Sequence, residues 1–125
     1  MKATKDILKT LETIKKRAHF VAMNTGGKKW VAESLILQAM PSDTLTPESG
    51  KIEIGFTVTK KVGNAVIRNR IKRRLRAAAA EIIAPKAKKG YRYNVIGRLP
   101  ALTADAEKLR SDLRWCLKRL EQLDT

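Results

Sequence analysis

Residues 60–77, KKVGNAVIRNRIKRRLRA, carry eight Lys or Arg side chains and no acid. The same stretch holds an apolar stripe. Ile67, Ile71 and Leu75 recur four residues apart, and Ala78 and Ile82 carry the stripe to about Ile83, with Pro85 beyond. That spacing predicts a helix with one face against a core. The cations lie off the stripe. Arg68, Arg70, Lys72, Arg73, Arg74 and Arg76 cover much of the remaining arc, and Lys60 and Lys61 sit in the loop before it. From Ile54 to Ala80 there is no acid, so no i,i+4 ion pair can form inside the segment. Any fold that includes this helix presents a charged face that the segment itself cannot neutralise.

The start of the helix sharpens the point. Asn64 supplies a side-chain cap, and Gly63 before it permits close backbone approach. A helix N-terminus is already partly positive, so each cation there costs about 0.3–1 kcal/mol. Arg68 and Arg70 crowd the first two turns where Asp or Glu would be the structural choice. An external anion held by the free amides and the guanidiniums resolves the conflict, and phosphate matches the guanidinium fork best. The whole chain agrees: 27 Lys and Arg against 12 Asp and Glu give a net charge of +15, which points to RNA, DNA or an anionic membrane. Between these the helix favours nucleic acid, because its polar arc adjoins no Trp- or Phe-rich face.

Other function classes find no support. No apolar run approaches the ~20 residues needed to span a bilayer. The N-terminal MKATKDILKTLETIKK has no continuous apolar core, so it is not read as a secretory signal. Cys116 stands alone, so no intramolecular disulfide can form and the chain reads as cytoplasmic. One Cys and one His, His19, cannot build a zinc site. NTGGKKW lacks the phosphate-loop pattern, and Asp43, Glu48, Glu53 and Glu81 are too dispersed for a two-metal centre. No catalytic constellation emerges.

With 125 residues, the chain is the size of one domain, 1–125, whose first ten or so residues read as a loose basic lead-in. Helical spacing begins near Ile14 and stops at Asn24–Gly27; Ala18, Val21 and Ala22 share one face, and Arg17, Phe20 and Asn24 another. Residues 29–40 read as strand, in one piece or two, and PSDTLTPESG as a turn. In KIEIGFTVT, Ile52, Ile54, Phe56 and Val58 face one way, while Lys51, Glu53, Gly55, Thr57 and Thr59 face the other. That second face is either a solvated surface or room for a ligand backbone. YRYNVIGR is a further strand. The last helix follows, capped by Thr103, with a stripe of Ala106, Leu109, Leu113, Cys116 or Leu117, and Leu120. Helix, strand, strand, helix, strand, helix predicts an α+β fold, an α-β sandwich with a small mixed sheet packed against helices.

GFTVTKKVGNAVIRNRIKRRLR resembles the protein-subunit family of bacterial ribonuclease P, whose hallmark is an Arg-Asn-Arg motif, here Arg68, Asn69 and Arg70. KKRAHF and YNVIGR agree with the family's first helix and last strand, and the resemblance covers about residues 11–121. It implies a left-handed crossover in the sandwich and a ribonucleoprotein in which a large RNA cleaves precursor tRNA at its 5′ end, with Mg2+ serving the chemistry on that RNA. It implies contact with the catalytic RNA subunit through Lys60, Lys61, Asn64, Arg68, Asn69, Arg70, Lys72, Arg73, Arg74 and Arg76. It implies binding of the single-stranded 5′ leader of precursor tRNA by Arg17, Phe20, Thr57, Thr59 and Arg98, with no protein catalytic residue, no metal site on the protein, no membrane and no obligate protein partner. The chain departs from the family pattern at Asn24, Glu33 and Gln38 and in its long loop 41–50. Trp30 offers either a replacement aromatic for the leader or a packing residue at a sheet edge.

Overall fold

The computed structural model describes residues 10–123; residues 1–9 of the expected lead-in lie outside it. A five-stranded mixed sheet is built from β1 (Leu11–Thr13), β2 (Lys28–Val31), β3 (Leu35–Pro41), β4 (Ile52–Thr57) and β5 (Tyr91–Gly97), in the order β1-β4-β5-β3-β2. Helix α1 (Arg17–Gly26) follows β1, α2 (Ala65–Lys86) joins β4 to its parallel neighbour β5, and α3 (Ala106–Arg119) closes the chain. The expected α+β sandwich is what the chain forms.

Four details correct the sequence reading. Leu11–Thr13 is not lead-in but an edge strand, parallel to β4 with Leu11 opposite Ile52. Ile14, Lys15 and Lys16 separate it from a helix that starts at Arg17 rather than near Ile14. Thr103 does not cap the last helix: Asp105 does, its Oδ1 accepting the Lys108 N–H at 2.7 Å, while Thr103 closes a 3-10 turn at Leu99–Leu102. Pro85 stands inside the last turn of α2, not beyond it.

The register sorts the sheet into two faces. Leu37 pairs with Val95, Ala39 with Tyr93 and Ile54 with Tyr93, so these share a face. Onto it pack Ile71, Leu75 and Ile82 of α2 and Leu109, Leu113 and Leu117 of α3, all buried in one core. The expected stripes hold except at Ala106, which is exposed. The opposite face carries Glu53, Arg92, Asn94 and Gln38, each at least 94% buried. α1 covers Glu53 and Gly55 on the second face of β4, while Thr57 and Thr59 beyond them stay open, as the reading of room for a ligand requires. On α1, Met23 is the buried residue, Val21 and Ala18 are exposed, and Phe20 leans on Gly55, where a Cβ would meet the ring at 2.5 Å.

Loop 41–50 acquires a role from that polar face. Glu53 accepts hydrogen bonds from Ser42 and Thr44, while Arg92 donates from Nε to Glu53 (3.3 Å) and from Nη2 to Asp43 (2.7 Å). Burial pushes the Glu53 carboxyl up, but the bonds from Ser42, Thr44 and Arg92 outweigh it and hold the group below its ordinary range. Gly90 locks the loop from the other side at φ +79°, and a Cβ there would lie 2.6 Å from the Pro47 nitrogen. Gly90→Ala combines left-handed strain with a clash against fixed backbone. We expect a loss of about 2–4 kcal/mol in urea unfolding; an unchanged midpoint would show that the loop yields freely.

Candidate nucleic-acid interface

The first turns of α2 are built as the sequence requires. Asn64 Oδ1 accepts the Ile67 N–H at 3.0 Å, and the first turn contains no acid. Gly63 tucks against Ile67, and the Val62 N–H donates to the Thr59 carbonyl at 3.1 Å, tightening the loop that carries Lys60 and Lys61. Ile71 and Leu75 are fully buried, which fixes the helix's rotation and turns Asn69, Arg70, Arg73 and Arg76 to solvent. Arg68 and Lys72 are half-buried at the flanks.

None of Lys60, Lys61, Arg68, Arg70, Lys72, Arg73 and Arg76 forms an ion pair among the described residues. The acids pair elsewhere, for example Glu81 and Glu107 with Arg110. The Arg68 Nε is buried with no hydrogen-bond partner. Arg76 lies over the Phe56 ring at 5.3 Å, which steadies the guanidinium without neutralising it. Arg74 departs from expectation. Its guanidinium donates to the carbonyls of Ala101 (2.5 Å), Leu102 (3.0 Å) and Ala104. It ties α2 to the turn before α3 and has little left to offer a phosphate.

On the other face of the sheet, an open groove of about 610 Å³ runs between α1 and β4. Arg17, Phe20, Thr57 and Thr59 all line it, four of the five residues expected together. Arg98 does not line it: its Nη1 donates to the Ala32 carbonyl at 2.7 Å, holding the β2–β3 turn. Sequence reasoning missed the groove's polar floor. Gln38 Nε2 donates to Asn24 Oδ1 (3.0 Å), Asn94 Nδ2 to Gln38 Oε1 (3.1 Å), and Thr57 Oγ1 to Asn94 Oδ1 (3.1 Å). This ladder crosses α1, β3, β5 and β4. Asn24 and Gln38, two of the departures from the family pattern, are thus bonded to each other. Trp30 is not part of the groove. It sits opposite Leu37, on the α3 side of the sheet. Glu33 is exposed in the β2–β3 turn, 3.9 Å from Lys108.

One face of the sheet thus carries a basic helix start that forms no ion pair among the described residues, and the other a groove with a polar floor. The family model described as Ribonuclease P matches residues 8–121. The chain belongs to the ribonuclease P protein family. It is 43% identical over 113 residues to the ribonuclease P protein component of Paramagnetospirillum magneticum, covering 90% of this chain and 85% of that one. With the counterpart from Gluconacetobacter diazotrophicus the identity is 41% over 106 residues, covering 85% and 88%. A solved structure of the Staphylococcus aureus RNase P protein superposes with a TM-score of 0.72 at 25% identity, covering 90% of this chain and 97% of that one. The Thermotoga maritima protein shares the fold, with a TM-score of 0.69 at 22% identity and coverage of 91% and 99%. Family membership makes this chain a ribonuclease P protein component, and its work is tRNA processing.

Proposed function

We propose that the chain binds the catalytic RNA of ribonuclease P through the exposed face of α2 and the 5′ leader of precursor tRNA through the α1–β4 groove. The observation that carries this is the set of arginines around Arg68–Asn69–Arg70 with no carboxylate among the described residues to neutralise them. Lys60, Lys61, Asn64, Arg68, Asn69, Arg70, Lys72, Arg73 and Arg76 meet the RNA subunit; Arg17, Phe20, Thr57 and Thr59 meet the leader. The RNA carries the cleavage chemistry, and the protein positions the substrate. Among the described residues no three His, Cys, Asp or Glu side chains converge as metal ligands, so we assign Mg2+ to RNA phosphates. No described helix is long and apolar enough to cross a membrane. We place the protein in the cytoplasm, with no obligate protein partner.

Reconstitution tests the reading. Mixed with a ribonuclease P RNA at low magnesium, the chain should stimulate cleavage of precursor tRNA. RNA binding without stimulation would instead mark a structural RNA-binding protein on the same sandwich. The groove has its own test. Phe20→Ala should weaken binding of precursor tRNA about tenfold and spare mature tRNA, because only the former offers unpaired bases to stack. Equal weakening of both would make Phe20 a packing residue of α1 against Gly55.

A further inference from the structure

Both tryptophans of the chain meet at one place, far along the sheet face opposite the groove. The Arg119 guanidinium lies over both indoles, 4.7 Å from the Trp30 ring centre and 5.5 Å from that of Trp115. Trp30 is half-buried, and its carbonyl faces the Cys116 thiol at 3.6 Å, so β2 and α3 hold the assembly rigidly. Trp115 is 47% exposed, one of five exposed large apolar side chains among the described residues. Trp115, Lys118 and Arg119 share a helix face by their spacing, and Lys28 stands two residues from Trp30 on the same face of β2. Lys28, Lys118 and Arg119 form no ion pair among the described residues.

Two facts need a common cause. Cations in the last turn of α3 suit the helix dipole, but the dipole gives no reason to expose an indole beside them. Covering Trp30 explains Arg119 but not the outward Trp115. An aromatic surface interleaved with a guanidinium, whose in-plane N–H groups remain available, matches a ligand with flat apolar rings on an anionic backbone. A protein partner would have to place carboxylates between exposed aromatic rings, whereas a single-stranded nucleic acid repeats that alternation all along its length. We propose that the Trp30–Arg119–Trp115 stack is a second contact for single-stranded RNA, separate from the α1–β4 groove. An unpaired base stacks on Trp115, and Arg119 with Lys118 engages the adjoining phosphates. Because α2 and α3 cover one face of the sheet and α1 the other, the chain then grips RNA on both sides. The inference rests on the reading that the chain binds RNA.

The two indoles are the only tryptophans, so tryptophan emission reports this site and not the groove. The full chain is titrated with a fluorescein-labelled ten-nucleotide oligouridine, following label anisotropy for total binding, and with the unlabelled oligonucleotide, following indole emission. Saturable quenching of the emission is expected. Trp115→Ala, exposed enough to leave the core intact by circular dichroism, should abolish most of the quench. Phe20→Ala should leave the quench unchanged. Anisotropy that saturates while emission stays flat would overturn this proposal alone. So would a quench that survives Trp115→Ala. Flat anisotropy would overturn both the stack and the RNA-binding reading beneath it.

Discussion

Raising monovalent salt from about 50 to about 200 mM should lower the affinity of this chain for a ribonuclease P RNA by about three orders of magnitude, because roughly six to eight phosphates are engaged and each releases counterions. The cationic face has no internal compensation among the described residues. Seven cations of α2 and the loop before it find no carboxylate among the described residues, so their solvation and counterions are what RNA replaces. Arg68→Ala with Arg70→Ala should reduce the salt slope by about two and leave thermal unfolding nearly unchanged, since neither is on the buried stripe of Ile71 and Leu75. Arg74→Ala should do the reverse. It frees the carbonyls of Ala101, Leu102 and Ala104, costing about 1–3 kcal/mol of stability with little change in slope. Filter binding across a salt series, with thermal melts beside it, separates the two. Equal slopes for the wild type and the double variant would remove the Arg-Asn-Arg motif from the interface.

The second large effect concerns stability. Arg92 is 1% exposed and Glu53 5%; Arg92 is the buried cation that pairs with Glu53, and it also reaches the exposed Asp43. Arg92→Met leaves the Glu53 carboxylate buried with only Ser42, Thr44 and His19 near it. It should cost about 3–5 kcal/mol in denaturant unfolding, the usual penalty for orphaning one partner. Arg92→Met with Glu53→Leu should recover a large part of that, because the doubly apolar site has no charge to desolvate. A double variant as unstable as the sum of the singles would mean that the pair is worth far more than its desolvation. The pH dependence follows. Glu53 titrates below its ordinary value of 4.5 in the folded chain, so its contribution is complete above that value and is lost as pH falls through the lower, folded value. The wild type should therefore lose stability in acid more steeply than Glu53→Gln. Parallel curves would show that Glu53 carries none of the acid sensitivity.

The sequence by itself determined the parts of this protein that depend on local periodicity and net charge. The i+4 recurrence of Ile67, Ile71 and Leu75, the Asn64 cap, the alternation of Ile52, Ile54 and Phe56, and the run of unbalanced cations are all written within a few residues of one another. They were enough for the sandwich, the basic face of α2 and the family. Tertiary structure alone decided the polar face of the sheet. Alternation shows that Glu53 points away from Ile54, but not that Arg92, 39 residues on, arrives to bury it. Nor does it show that Asn24, Gln38, Asn94 and Thr57 meet across four elements to floor the groove. The same limit hid the strand at Leu11–Thr13, the tie made by Arg74 and the stacking of Arg119 over two indoles 85 residues apart. A polar side chain in a strand or helix reads as solvated until its partner is known. Whether it lies on the surface or in the interior is set by what distant chain segments bring to it, since a buried polar group is stable only when those segments supply its hydrogen bonds.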